Sequence, residues 1–456
     1  MKRLRTNEPV WDLSFDEKGR LTELGQDDLI EGIIAEGVDD LFVFSHGWGT
    51  SEASARRMYD DMFPMIRAAA QGMPGIATTG FVGIYWPSLW FPPTPATSAT
   101  SADSIQSDGG AVVDLTAGTA ALSGAEIAES LRSGFADEAQ RNTVTEIGRL
   151  IDEGEAADRS GATNAEKELR LRQIHDCLRS LAPASLLAET AEPEDTGETL
   201  LLTAEDPTTA FLAAADAFGS APPGGDEASL GDWFRTALNG AKDAARVLSY
   251  TLMKGRAGDI GRDGLGPMLA VLKARSPNVR VHLIGHSFGA RLVSFALAGV
   301  GSPAKSPVAS LLLIQAAFSH WSFSHAGDNP FGRAGALHTV ADRVHGPLVA
   351  TFSVFDWAVG VWYPRASFLS RQDTEAEVAG RWGGLGSDGF KAVSPFESRT
   401  MLASGEVSSD FAPGTFYGVD AADVINDTEG QAFAGAHSDI RKPGVAKLVV
   451  AVAASR

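Results

Sequence analysis

Gly285-His286-Ser287-Phe288-Gly289 sets a serine between two glycines at the spacing G-x-S-x-G. A serine hydroxyl is a weak nucleophile and becomes an effective one only when a base within hydrogen-bond reach takes its proton. The flanks supply a setting for that chemistry, since Val281-His282-Leu283-Ile284 reads as a strand and Ala290-Arg291-Leu292-Val293 as the start of a helix. Strand, sharp turn and helix together make a nucleophile elbow. The turn strains the serine backbone, and side chains two residues to either side would collide across it, so glycine is expected at 285 and 289. In a chain with 49 glycines the pentapeptide alone says little, and its position between strand and helix says more.

A base and a carboxylate must complete the set. Five histidines follow Ser287: His320, His325, His338, His345 and His437. His437 lies in Gly435-Ala436-His437-Ser438-Asp439, a small-residue loop just before the last apolar segment. For the acid, Asp356 stands at the carboxyl end of the β-rich run Ala350 to Phe355, with Trp357 and Ala358 beside it as shields from water. Asp328, Asp342 and Asp439 compete for that role. A developing oxyanion would need preorganised donors, and the Phe288 N–H, directly after the serine, is one candidate.

Ser45-His46-Gly47-Trp48-Gly49 follows another β-rich run, Leu41 to Phe44, and is similar to the His-Gly oxyanion loops of lipases and esterases. Taken in order, His46-Gly47, Gly285 to Gly289, Asp356 and His437 resemble the α/β-hydrolase superfamily, over residues 10 to 90 and 236 to 456. In that superfamily the serine precedes the acid and the acid precedes the histidine, which selects His437 as base. The resemblance implies Trp48 N–H as second oxyanion donor, with Gly47 allowing the backbone turn and His46 bracing the loop. Trp48 stands where the HGGG form of the loop has glycine. The implied activity is a serine hydrolase that cleaves a carboxylic ester of a small molecule through an acyl-enzyme on Ser287. An amidase or thioesterase using the same three residues, and a non-catalytic interaction protein, remain alternatives. No cofactor and no metal are expected, because no further ligand stands at a useful spacing from His46, His320 or His325.

The elements that must carry these residues follow from periodicity. Val10 to Phe15, Leu41 to Phe44, Phe81 to Trp86, Val279 to Ile284, Ser310 to Leu313 and Leu348 to Phe355 read as strands. Helices are expected over 26–36, 51–70, 233–253, 265–274, 290–297 and 445–454. Strands alternating with helices predict an α/β fold, a mostly parallel central sheet with helices on both faces. Chemistry in such sheets gathers at the carboxyl ends of the strands. The glycine-rich Gly255 to Gly261 lacks the Gly-Lys-Ser/Thr of a phosphate cradle and is read as a loop between helices. Trp86, Trp90 and Phe91 leave the sheet together and form either an acyl-binding wall or plain core, and His46 and His286 are further pocket candidates.

Length and charge set the remaining bounds. A chain of 456 residues exceeds a single ordinary core, so residues 1–90 and 236–456 are expected to form the catalytic unit around a large, mainly helical insertion at 91–235. The insertion holds 26 acidic against 9 basic residues, net −17, which leaves the rest of the chain at −3 of the total −20. It is expected to act as a lid or cap, with Thr208 to Phe218 as an amphipathic cover. Phosphate-rich partners need clustered cations, so nucleic acid and anionic membrane surfaces are disfavoured as partners. No apolar run approaches the roughly 18 residues that cross a bilayer. Lys2, Arg3 and Arg5 are followed by Thr6-Asn7-Glu8-Pro9 instead of an apolar stretch, and Cys177 is the only cysteine, so a cytoplasmic protein is expected.

Overall fold

Along Asp40–Ser45 successive side chains face opposite ways, and the two sets are buried in different places. Leu41 and Val43 join one apolar cluster, whereas Phe42 and Phe44 join a second. The same division holds for Val82 and Phe81, Leu283 and Ile284, and Leu311 and Leu312. A strand buried on both faces belongs inside a sheet covered on both sides, which is why these runs are apolar throughout instead of alternating with polar residues.

The computed structural model describes residues 1–88, 122–132, 134–182, 201–217, 233–362, 383–406, 410–429 and 434–455. The strands are β1 (Lys2–Arg3), β2 (Pro9–Ser14), β3 (Asp40–Ser45), β4 (Thr79–Tyr85), β5 (Arg280–His286), β6 (Val308–Ile314), β7 (Leu348–Phe352), β8 (Phe396–Thr400) and β9 (Phe416–Asp420). They form one sheet in the order β1-β2-β4-β3-β5-β6-β7-β9-β8, parallel throughout except for β1. From β3 the chain goes outward to β4, then returns past β3 to β5 and continues the other way. The reversal leaves a crevice at the carboxyl ends of β3 and β5, where open α/β sheets hold their ligands.

The helices are α1 (Gln26–Ala35), α2 (Glu52–Ala70), α3 (Gly124–Arg132), α4 (Glu138–Ser160), α5 (Asn164–Leu181), α6 (Pro207–Ala217), α7 (Trp233–Asp259), α8 (Gly266–Arg275), α9 (Phe288–Val300), the single turn α10 (Leu385–Asp388) and α11 (Pro443–Ala454). Residues of α1, α7, α8 and α9 complete the first apolar cluster, and those of α2 and α11 the second. Ser51 starts α2 by accepting the Ser54 N–H, so the helix begins where its cap residue stands. Helices α3 to α6 bury Ile127, Ile147, Ile174 and Phe211 in the first cluster, against α7. Phe211 of α6 lies so close to α7 that a Cβ on Gly240 would stand 1.7 Å from its carbonyl oxygen. The expected cover Thr208 to Phe218 is therefore mostly a helix seated on α7, and Phe218 lies outside the described residues. The expected boundary at 235/236 falls inside α7.

One expectation needs correction. Gly255 to Gly261 is helix, running from α7 through a π-helical stretch (Ile260–Leu265) into α8. Gly261 makes room for a neighbour: a Cβ there would lie 2.1 Å from the Leu292 carbonyl oxygen of α9. The edge strand β8 carries no strong sequence signal, because it is exposed and holds the polar run Glu397-Ser398-Arg399, and the buried strand β9 stands beside it outside the strands expected from sequence. Among the described residues no helix is long and apolar enough to cross a membrane.

Candidate active site

Ser287 stands between the last residue of β5 and the first of α9 with φ 56° and ψ −124°, in the region that L residues avoid. Such a backbone costs on the order of 1–3 kcal/mol and persists only where its surroundings enforce it. Here the Ser287 N–H donates to the Ile314 carbonyl at 3.2 Å, and the Ser287 carbonyl accepts from Ala290 N–H at 3.1 Å and Ala317 N–H at 3.3 Å. The flanking glycines answer two different neighbours. A Cβ on Gly285 would lie 2.4 Å from Ala290 Cα across the turn, and one on Gly289 would lie 2.2 Å from the Ser45 carbonyl oxygen of β3. The second collision is with the adjacent strand, not across the elbow.

Asp356 and His437, 81 residues apart in the chain, meet at the same end of the sheet. After β7 the chain turns through Ser353 to Asp356, with Asp356 N–H on the Ser353 carbonyl at 3.0 Å. The His437 Nδ1–H donates to Asp356 Oδ2 at 2.9 Å, which assigns the ring's free acceptor to Nε2. Asp356 also accepts from Gln315 Nε2–H on Oδ2 at 2.9 Å and from Val359 N–H on Oδ1 at 3.0 Å, so a buried carboxylate is fully engaged. The acid and base loops are joined by backbone: Ala436 N–H reaches the Phe355 carbonyl at 2.7 Å and Ala358 N–H the Ala434 carbonyl at 3.3 Å. Gly435, at φ 57°, allows this approach, since its Cβ would stand 2.0 Å from the Phe355 oxygen.

His286 ties β5 to the loop that carries His437. Its Nε2–H donates to the His437 carbonyl at 2.9 Å, and the two rings lie 4.9 Å apart. Burial, and then the neighbouring His437, push His286 down to about 3, so this ring stays neutral beside the base. The rival residues are engaged elsewhere. Asp439 accepts from Asn426 and Asp427 N–H, Asp328 lies in an outer loop beside His325, and Asp342 lies in a short 3₁₀ turn. His320 contacts Asp388, His338 donates to the Gly335 carbonyl, and His345 to that of Ser306.

The loop after β3 lies directly on Ser287. A Cβ on Gly47 would fall 2.7 Å from Ser287 Cβ and 3.2 Å from Oγ. His46 holds this loop from behind: its Nδ1–H donates to the Gly47 carbonyl at 2.9 Å, and its ring stacks on Trp86 at 5.6 Å and 9°. The Trp86 indole N–H donates to the His46 carbonyl at 3.1 Å, and burial lowers His46 to about 4, keeping the imidazole neutral. Trp86 is therefore a buried brace, the core reading of its two; Trp90 and Phe91 lie outside the described residues. Trp48 packs its ring on Phe288 at 5.8 Å and on Tyr250 of α7 at 6.0 Å. The Gly47 and Trp48 N–H groups donate no backbone hydrogen bond among the described residues, and Phe288 opens α9, whose first amides lack helical partners.

The arrangement sets a strained hydroxyl, free amides from two loops and a carboxylate-held imidazole at one end of the sheet. It can support proton abstraction and stabilisation of a tetrahedral oxyanion. Sequence reasoning missed Gln315 and Val359 as partners of Asp356; the only signal was a polar residue directly after the apolar run of β6. Among the described residues no three His, Cys, Asp or Glu side chains gather to hold a metal ion. Comparison with protein-family models, curated proteins and solved structures finds no match to this chain.

Proposed function

We propose that this protein is a serine hydrolase with the α/β-hydrolase fold, cleaving a carboxylic ester through an acyl-enzyme on Ser287. The observation that carries the reading is the 2.9 Å contact of His437 Nδ1 with Asp356 Oδ2 at the same sheet end as the strained Ser287. The strand order, with its reversal between β3 and β5, supports the fold assignment. In the reaction His437 Nε2 takes the Ser287 proton as Oγ attacks the ester carbonyl, and Asp356 stabilises the imidazolium. The Phe288 and Trp48 N–H groups, with Gly47 giving the approach, hold the oxyanion until the alcohol departs with the proton from His437. Water activated by the same imidazole then releases the acid. The 91–235 segment is proposed as a cap, supported by α7, which carries its helices and also sets Tyr250 against Phe288 at 5.2 Å.

A fluorophosphonate probe tests the reading. Expected is a stoichiometric adduct on Ser287 in the wild type and none in Ser287→Ala. No adduct in the wild type, or an equal one in the variant, sinks the hydrolase reading and favours an interaction protein. A panel of matched ester, thioester and amide substrates then separates esterase from thioesterase and amidase.

A further inference from the structure

We infer that Gln315 is a positioning residue for the Asp356–His437 pair, with its amide anchored from behind by Thr351. The inference rests on the hydrolase reading above and names a part of its machinery that touches no reacting atom. Gln315 follows the last residue of β6, is fully buried and has φ 46°, a left-handed backbone that a non-glycine residue takes only under constraint. Its neighbour supplies that constraint, since a Cβ on Gly386 would stand 2.6 Å from the Gln315 carbonyl carbon.

The amide's direction is settled by its partners. Gln315 N–H donates to Thr351 Oγ1 at 3.1 Å, which leaves the threonine proton to donate to Gln315 Oε1 at 2.9 Å. With Oε1 engaged as acceptor, Nε2 is the atom turned to Asp356 Oδ2 at 2.9 Å, and its second proton reaches the Gly386 carbonyl at 3.3 Å. A flipped amide would set Oε1 against two acceptors at one end, the Asp356 carboxylate and the Gly386 carbonyl, whereas the Thr351 hydroxyl at the other end can donate or accept. The carboxylate and the carbonyl therefore select the donor, and Thr351 holds Oε1 behind it.

Asp356 Oδ2 thus receives two donors, Gln315 and His437, while Val359 N–H holds Oδ1. The carboxylate cannot rotate about its Cβ–Cγ bond without losing one of them. As the His437 ring becomes an imidazolium, its counter-charge is already in place and does not reorganise. An apolar residue at 315 could fill the same space, but it would leave Oδ2 with the His437 ring as its one remaining donor, so that the ring and the carboxylate are held less firmly.

The test uses the full-length protein, Gln315→Leu, Thr351→Val and the double variant, assayed on p-nitrophenyl acetate. Gln315→Leu is expected to lower kcat about 10- to 100-fold with KM changed less than about twofold, the signature of a group that acts on the transition state. Thr351→Val should show a smaller loss. The double variant should be no slower than Gln315→Leu, because the hydroxyl works only through the amide. The far-downfield proton resonance of the His437–Asp356 hydrogen bond should shift or broaden in both single variants. An unchanged kcat and resonance in folded Gln315→Leu, or losses that multiply in the double variant, overturns the inference. Where Gln315→Leu fails to fold, Thr351→Val decides by the same two readouts. A wild type that neither labels nor hydrolyses defeats the hydrolase reading, and the resonance then tests separately whether Gln315 holds the pair.

Discussion

Gly47 approaches the nucleophile so closely that even one methyl group has no place: its Cβ would lie 2.7 Å from that of Ser287. Gly47→Ala must therefore lift the loop and move the Trp48 amide away from where an oxyanion would form. Expected is a fall in kcat of about 10²-fold, the size seen when one oxyanion donor is lost, with the melting temperature little changed. Steady-state kinetics beside a thermal melt check it, and a normal kcat would show that the loop takes no part. At this scale the sequence was most readable where the chemistry is local. Gly285 to Gly289 announces a turn because strand, serine and helix are contiguous, although only Gly285 answers crowding within a few residues and Gly289 answers the adjacent strand β3. Asp356 and His437 were legible through their order in the chain and their places after a strand and before the last helix. Gln315 was not, because its role exists only once β6 and β7 lie side by side.

At the scale of elements, glycine misled. The run from Gly255 to Gly261 looks like a breaker when read along the chain, and its meaning lies across the chain, where α9 crosses with its Leu292 carbonyl at the position a Gly261 Cβ would take. Gly261→Ala is expected to destabilise the protein by about 1–3 kcal/mol through overpacking, read as a lower urea midpoint with an unchanged m-value. A midpoint equal to that of the wild type would mean the π-helical stretch yields at no cost. Since α9 begins at the residue after the nucleophile, the same variant tests how far the elbow depends on the helix behind it. The edge strand β8 was equally hidden, because an exposed strand with alternating charge needs no apolar pattern to announce it.

Across the whole molecule, three buried imidazoles tie stability to pH. Burial lowers His46 to about 4, His286 to about 3, and His282, held between Asp40 and Ser310, in the same direction. In the unfolded chain each would take up its proton near 6.5. Between that value and the folded one the unfolded state binds more protons, so stability rises with pH across this window. It is fully present above 6.5 and is lost as pH falls, by up to about 1.4 kcal/mol per pH unit for each histidine. Urea titrations at about pH 7 and about pH 5 should show the midpoint falling with m unchanged. A flat midpoint over that interval would mean these rings are charged in the folded protein.

Helix α7 gives the molecule a single rod shared by its outskirts and its centre. Gly240 seats α6 near one end, and Tyr250, roughly 15 Å further along, presses on Phe288 and Trp48. A rigid rod transmits displacement with little loss, so a substitution among the acidic outer helices that tilts α7 by a few degrees will be felt at the aromatic rings of Trp48 and Phe288 beside Ser287. The periphery is in this sense geared to the chemistry, although it contributes no reacting atom.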